Sequence, residues 1–153
     1  MKTPWLACIR LAAALVLSVA PECSYACMCF ANLERQFETA HHVLLARVDS
    51  VRLESVPGSA DPVVFASLYP VEVYKSSTTT PVEAKESTWW YGSSCRSHVP
   101  VLRAQQFYIL FLDENGNVTA CSGSTLVYPN STTAQNLMRE IRAQIAKRVP
   151  GAP

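Results

Sequence analysis

Alternation of apolar and polar residues predicts that most of this chain folds as β-strands. Pro70 interrupts one of these runs, and because proline has no N–H to donate, it predicts a bulge or an edge there. The run from 106 to 112 is almost continuously apolar, which predicts a strand covered on both faces, as in a small barrel. Five runs carry the strand pattern, and they span residues 43–53, 63–75, 82–91, 106–112 and 118–122.

Residues between these runs predict loops and one tight hairpin. Residues 54–62 contain Pro57-Gly58 and form a loop after the first strand. Asn115-Gly116 lies between the fourth and fifth runs, and this dipeptide is a strong hairpin signal.

Two helices are predicted, one at each end of the strand-rich region. Asn32 is suited to cap a short helix that continues to about Ala40, with Leu33 and Phe37 on one face. The second helix follows Thr132 and Gln135, which form a possible capping box. Its apolar stripe consists of Leu137, Met138, Ile141 and Ile145, and its cations Arg139, Arg142, Lys147 and Arg148 lie mostly off that stripe. We expect it to pack against the barrel, with a membrane-surface helix as the alternative.

The first 26 residues have the features of a secretory signal peptide. Lys2 and Arg10 precede a ten-residue apolar run at 11–20, and small residues at Ser24 and Ala26 mark a cleavage site. The run is shorter than the roughly 20 residues that span a bilayer, so a retained anchor is the lesser alternative. The prediction is therefore a cleaved signal at 1–26, one domain at 27–148 and a flexible tail at 149–153, in a secreted or periplasmic protein.

Charge gives no indication of an anionic partner. Loss of Lys2, Arg10 and Glu22 with the signal leaves 11 basic and 11 acidic residues, and no basic block remains. We therefore expect no nucleic acid and no membrane as partner after signal cleavage.

Four cysteines remain after cleavage. An even number in an exported chain predicts two disulfides, which four cysteines can form in three ways. A bridge between Cys27 and Cys29 would close a small, strained ring and is disfavoured. Either of the other pairings ties the N-terminus to two distant positions. Each bridge closes a long loop and would stabilise the fold by at most about 4 to 5 kcal/mol. The four are Cys27, Cys29, Cys95 and Cys121.

The order of these features resembles the netrin-like module, the N-terminal domain of tissue inhibitors of metalloproteinases. The features are a Cys-x-Cys start, a short helix, a long strand ending in an exposed loop, a mid-chain cysteine and a late cysteine after an apolar strand. The resemblance covers residue 27 to about residue 128. It implies a mainly β fold, a five-stranded OB-type β-barrel with a short N-terminal helix, to which the sequence pattern adds the C-terminal amphipathic helix in place of the family's second domain. It also implies the pairs Cys27–Cys95 and Cys29–Cys121.

The resemblance implies a function at the processed terminus. In that family the α-amine and carbonyl oxygen of the first cysteine chelate the catalytic zinc of a protease, at the position of the water nucleophile. Cys27 would be the chelating residue, Cys29 would hold it in place, and Met28 would enter the pocket beyond the scissile bond. Phe30 and the loop at 54–62 would supply flanking contacts. We therefore expect a monomeric inhibitor of zinc metalloproteases with no cofactor and no metal of its own.

Departures from the family pattern keep a second function open. Met28 stands where the animal inhibitors usually carry a small hydroxyl residue, and the cysteines for a third disulfide are missing. The same scaffold also serves as a non-inhibitory binding or docking module for an envelope or extracellular protein or glycan.

Three other groups of residues could form a site, but each has weaker support in the sequence. His41 and His42 suggest a metal site, but neighbours in a strand point to opposite faces. Cys95 with His98 could mimic a nucleophile and its base, although a disulfide cysteine is the favoured interpretation. Trp89-Trp90-Tyr91 could stack on a sugar or base. No nucleophile, base and orienting group occur together, so we do not expect an enzyme.

Overall fold

The structure is a computed structural model, and it describes residues 32–55, 57, 61–77, 79–87 and 101–148. In these residues five antiparallel strands form one sheet in the order β3-β2-β1-β4-β5, accompanied by two α-helices. The elements are α1 (Leu33–Thr39), β1 (His42–Glu54), β2 (Val63–Ser76), β3 (Glu83–Ser87), β4 (Phe107–Leu112), β5 (Thr125–Val127) and α2 (Thr132–Ala146). The mainly β prediction is confirmed.

The long strands β1 and β2 form the centre of the sheet. They pair along their whole length, from His42 opposite Ser76 to Glu54 opposite Val63. The register shifts at Pro70, which lies opposite Ala46 while the next paired residue of β2 is Glu72. Because proline cannot donate to the ladder, the chain bulges at this point. The bulge predicted from Pro70 is confirmed.

Both faces of β4 are buried, as its continuous apolar run predicted. Tyr108, Leu110 and Leu112 pack on one face, while Ile109 and Phe111 pack on the other. The first face carries a core that includes residues of β1, β2 and β3, and the second face carries the core under the helices. β4 therefore separates two hydrophobic cores.

Helix α2 covers the second core with its apolar stripe. Ala134, Met138 and Ile141 are buried, and Leu137 and Ile145 pack against the same cluster. The predicted packing of this helix is confirmed. Among the described helices none is long and apolar enough to span a bilayer.

The predicted capping box of α2 is wrong. Ser131 is the N-cap, and its Oγ accepts a hydrogen bond from the N–H of Ala134 at 3.2 Å. Thr132 is already helical, and Gln135 donates its side-chain N–H to the carbonyl oxygen of Pro129. The N-cap therefore lies one residue before the predicted Thr132. Ser131 has an extended backbone, and its hydroxyl reaches an N–H group of the first turn.

The predicted fifth strand at 118–122 is also wrong. Val118 forms one bridge with Leu112, and the chain then turns, with the N–H of Ser122 bonded to the carbonyl oxygen of Thr119. Cys121 and Gly123 have φ angles of 61° and 92°, which an extended strand does not accept. The fifth strand forms later, at 125–127, and pairs with β4.

The OB-type barrel is not confirmed, since the described sheet is not closed into a barrel. Among the described residues, a short contact joins β3 to the hairpin that follows β4. The N–H of Lys85 donates to the carbonyl oxygen of Gly116 at 2.9 Å. In return, the N–H of Val118 donates to the carbonyl oxygen of Lys85 at 2.7 Å. β3 is described as a strand for five residues, and the predicted remainder at 88–91 lies outside the described residues.

Candidate functional site

Most of the predicted site residues lie outside the described part of the chain. These are Cys27, Met28, Cys29, Phe30 and Cys95, and the groups at 89–91 and His98 lie outside it as well. The described residues of the predicted contact loop at 54–62, such as Glu54, Pro57 and Asp61, are exposed or half-buried. The structure does describe α1, which follows this segment in the chain, and the loop that carries Cys121.

Helix α1 begins as the sequence predicted. The side-chain oxygen of Asn32 accepts a hydrogen bond from the N–H of Arg35 at 3.1 Å, and Asn32 itself is extended. Phe37 is buried in the core under α2, and Leu33 packs against it from the same face. The segment 27–30 therefore precedes a helix whose start and apolar face are both fixed.

Lys75 holds the other end of α1. Its ammonium donates to the carbonyl oxygens of Phe37 at 2.9 Å, of Glu38 at 3.0 Å, and of Ala40. A cation is favourable there because the end of a helix carries unpaired carbonyls and partial negative charge. Burial, and then the nearby charge of Arg148, lower the pKa of Lys75 from its usual value.

Arg148 reinforces this contact from the end of α2. Its guanidinium lies 5.1 Å from the centre of the Phe37 ring and 3.0 Å from the carboxylate of Glu38. The Lys75 ammonium lies 5.5 Å from the same ring centre. Two cations thus hold α1 through its aromatic side chain and its C-terminal carbonyls.

A second ion pair fixes α2 on the sheet. The guanidinium of Arg142 donates to both oxygens of Glu72, at 2.9 and 2.7 Å, and the Tyr74 hydroxyl also donates to Glu72 at 3.1 Å. The hydrogen bond from Arg142 is the main reason why the pKa of Glu72 is below its usual value. Burial is the main reason why the pKa of Tyr74 is raised.

The loop after β4 brings Cys121 to α1. Gln36 donates its side-chain N–H to the carbonyl oxygen of Cys121 at 3.3 Å. Gly123 lies so close that a Cβ there would be 2.6 Å from the Oε1 of Gln36. Ser124 ties the loop to β4, because its Oγ accepts from the N–H of Phe111 at 2.8 Å. Cys121 is half-buried.

A cleft lies between α1, the end of β4 and this loop. Its volume is about 130 Å³, and its lining includes Gln36, Thr39, Asp113, Thr119 and Ser122. Ala40, Phe111 and Leu112 also line it, so the lining is mixed, and Asp113 is already hydrogen-bonded to Asn115 and Asn117.

The adjacent histidines separate, because β1 begins at His42 and His41 lies in the bend before it. His42 is buried at 2% exposure, and its Nδ1 is hydrogen-bonded to the Oγ of Ser76 at 3.1 Å, whereas His41 is exposed. Burial, followed by the charge of His41, lowers the pKa of His42, and the charge of Asp113 opposes them. Within the described residues no three His, Cys, Asp or Glu side chains come close enough to hold a metal ion.

Sequence reasoning missed three side chains that fix the position of α1. Gln36, Lys75 and Arg148 are polar or charged residues whose partners lie 35 to 110 positions away along the chain. No local pattern marks such contacts. Gly123 was an available signal, since glycine is the usual residue where the backbone takes a positive φ or approaches another segment closely.

Neither a protein-family model nor a curated protein sequence matches this chain.

Proposed function

We propose that this protein is an exported inhibitor of zinc metalloendopeptidases that acts through the α-amine and carbonyl oxygen of Cys27. Signal cleavage after Ala26 frees that amine, and the disulfides Cys27–Cys95 and Cys29–Cys121 hold it in place. Met28 then enters the protease pocket beyond the scissile bond, and Phe30 supplies flanking contacts.

The observation that carries this proposal is the contact between α1 and the Cys121 loop. Gln36 is bonded to the carbonyl oxygen of Cys121. Asn32 lies one helical turn before Gln36, a rise of about 6 Å. The three residues from Asn32 back to Cys29 span at most about 11 Å. This length of chain is compatible with a Cys29–Cys121 disulfide, which needs the two Cα atoms to come within about 7 Å.

The rigidity of α1 supports the proposal energetically. A free terminus loses conformational entropy when it binds, and this loss subtracts from affinity. Here α1 is fixed by Asn32 at its start, by Phe37 in the core and by Lys75 at its end. A segment stapled to such a helix is ordered before it meets a protease, so less entropy is lost on binding.

The chemistry of the terminus suits a zinc site. A catalytic zinc ion keeps one position open for water, and an amine with an adjacent carbonyl oxygen can occupy it as a bidentate ligand. The amine must be neutral to donate its lone pair, and an α-amine with a reference pKa of about 7.7 to 8 loses its proton at little cost near neutral pH. Met28 is unbranched and adapts to an apolar pocket.

An OB-type barrel is the architecture that we propose around this site. The contact of Lys85 with Gly116 and Val118 joins β3 to the hairpin beyond β4, on the opposite side of the sheet. Such a contact brings the edge strand β3 close to the hairpin after β4, on the face that carries Tyr108, Leu110 and Leu112. This contact supports a curled, nearly closed sheet.

The proposal is tested by comparing two forms of the processed protein. One form begins at Cys27, and the other carries a single extra Ala before it. We expect the first to inhibit at least one member of a panel of zinc endopeptidases and the second to lose inhibition, because the added residue removes the free amine from the zinc ligand. Mass spectrometry should show the same disulfides in both forms, so that loss of activity is not loss of folding.

Two other results would argue against chelation. Equal inhibition by both forms would show that the amine is not the ligand. Absence of inhibition by either form, with both disulfides intact and the terminus verified, would favour the docking module.

A further inference from the structure

Residues 101–103 precede β4 and belong to no strand of the described chain. Leu102 is nevertheless buried, at 3% exposure, in the core that contains Tyr108. Buried backbone N–H and C=O groups need hydrogen-bond partners, because a buried group without one destabilises the fold. Here two buried side chains act as partners, Glu86 from β3 and Tyr108 from β4, at 0% and 1% exposure.

Each of these side chains binds the backbone of the segment directly. The carboxyl oxygen Oε2 of Glu86 accepts a hydrogen bond from the N–H of Leu102 at 3.1 Å. The Tyr108 hydroxyl accepts from the N–H of Arg103 at 3.0 Å and donates to the carbonyl oxygen of Val101 at 2.8 Å. Burial is the main reason why the pKa of Tyr108 is raised, so the hydroxyl keeps its proton and remains a donor. Two side chains thus bind the backbone of three consecutive residues.

These hydrogen bonds close the base of a loop. The loop comprises residues 88–100, which follow β3 directly. Glu86 precedes the loop and Leu102 follows it, and one hydrogen bond joins the two. The chain beyond is also held, since the N–H of Gln105 donates to the carbonyl oxygen of Val48 at 2.7 Å. The residues on both sides of the loop are therefore fixed to the sheet.

We propose that Glu86 and Tyr108 are positioning residues, which fix the two ends of the loop at 88–100 and so hold Cys95 where it bonds to Cys27. This inference rests on the proposed function, from which it takes the Cys27–Cys95 disulfide. The chelating amine belongs to Cys27, so the position of Cys95 determines the direction in which that amine points.

The physical basis is the entropy of the loop. Closing a flexible loop costs entropy, and the cost rises with the number of residues between the closed ends. The bond between Glu86 and Leu102 closes the loop before any disulfide forms, so less entropy remains to be lost when Cys95 meets its partner. A fixed loop also slows reduction of the bond, because the attacking thiolate needs access to the sulfur atoms.

Two variants and a control separate these roles. Tyr108→Phe removes only the hydroxyl that binds Val101 and Arg103. Glu86→Gln replaces the carboxyl group by an amide, whose oxygen is a weaker acceptor than that of a carboxylate. Tyr128→Phe is the matched control, because Tyr128 is 67% exposed and removal of its hydroxyl leaves the buried contacts unchanged.

Differential reduction of the two disulfides tests the proposal in the mature protein. Each variant is treated with dithiothreitol for increasing times, the freed thiols are alkylated, and each bond is followed by peptide mass spectrometry. We expect the Cys27–Cys95 bond to be reduced severalfold faster in Y108F and E86Q than in the wild type, and the Cys29–Cys121 bond to be reduced at the wild-type rate. Both bonds should keep the wild-type rate in Y128F.

Equal acceleration of both bonds in Y108F would overturn the proposal, because a general loss of stability exposes every disulfide alike. Unchanged reduction of the Cys27–Cys95 bond would also overturn it, and Y108F alone decides if E86Q does not fold. Absence of this bond from the wild type is a separate result, which contradicts the proposed function. Hydrogen exchange of residues 88–103 then tests the fixing of the loop, and an exchange rate in Y108F equal to that of the wild type would exclude it.

Discussion

At the scale of single residues, the position of α1 depends on a few long-range contacts. Gln36 meets the Cys121 loop only because Gly123 has no side chain. Lys75 and Arg148 come from β2 and from the residues just after α2, and both contact Phe37. A seven-residue helix is too short to be stable in isolation, so these contacts hold it in place.

Replacement of Gly123 by alanine tests the close approach to Gln36. The new Cβ would clash with the Gln36 side chain, and φ of 92° is strained for any L-residue. We expect a loss of about 1 to 3 kcal/mol in the free energy of unfolding, measured by urea denaturation.

The double variant Gln36→Ala, Gly123→Ala separates the two causes of this loss. Removing the Gln36 side chain relieves the clash but not the backbone strain, so the double variant should lose less than the sum of the single losses. Strict additivity would contradict the contact.

Replacement of Lys75 by methionine tests the cation at the end of α1. Methionine keeps the aliphatic stem but leaves the carbonyls of Phe37, Glu38 and Ala40 without their donor. We expect a loss of about 1 to 3 kcal/mol in thermal or urea unfolding. The matched control is Lys147→Met, whose side chain is exposed, and an equal loss there would show that the carbonyl contacts do not matter.

At the scale of elements, β4 lies at the centre of the packing, and β2 holds the two helices on the sheet. β4 is buried on both faces, while β2 carries Glu72, Tyr74 and Lys75 toward the helices. The bulge at Pro70 lies just before these three residues and adjusts the register of β2 against β1. The proline thus precedes the part of β2 that holds both helices.

The ion pair between Arg142 and Glu72 makes stability depend on pH. Because the pKa of Glu72 is lowered in the folded state, its contribution is present above the usual value of 4.5 and is lost as the pH falls through the folded-state pKa. The pair is partly exposed, so the effect is small, about 0.5 to 1 kcal/mol.

A variant pair isolates this contribution. Glu72→Gln should lose less stability than the wild type between about pH 5 and about pH 3, in urea unfolding at a series of pH values. Glu140→Gln, on the exposed face of α2, should behave as the wild type does. An unchanged pH dependence in E72Q would contradict the role of the pair.

Features that depend on residues close together in the chain could be predicted from the sequence. Asn32 capped α1, Pro70 produced the bulge, and the apolar run of β4 was buried on both faces. The fifth strand was misplaced because Cys121 adopts a left-handed conformation, which residue type alone did not indicate. The anchoring of α1 by Gln36 and Lys75 could not be predicted, since it depends on which segments the fold brings together.

At the scale of the whole molecule, two cores on opposite faces of one sheet are joined by α1 and the Cys121 loop. α1 belongs to the core beneath α2. Val118 and Ala120, which precede Cys121, belong to the other core. A disulfide from Cys121 to the segment before α1 would therefore link both cores to the N-terminus.

Replacement of Cys121 by serine tests the proposed staple to Cys29. Serine is nearly isosteric but cannot form the bond, so the unfolded chain gains freedom. We expect a loss of about 2 to 5 kcal/mol, measured by thermal or urea unfolding under oxidising conditions. An unfolding transition close to that of the wild type would contradict the staple.

The most direct measurement is the identity of the first residue of the protein after export, by intact mass and N-terminal sequencing. The proposed zinc ligand exists only if processing exposes the amine of Cys27. We expect the mature chain to begin at Cys27 with both proposed disulfides formed. A chain that begins at any other residue would contradict chelation through this terminus.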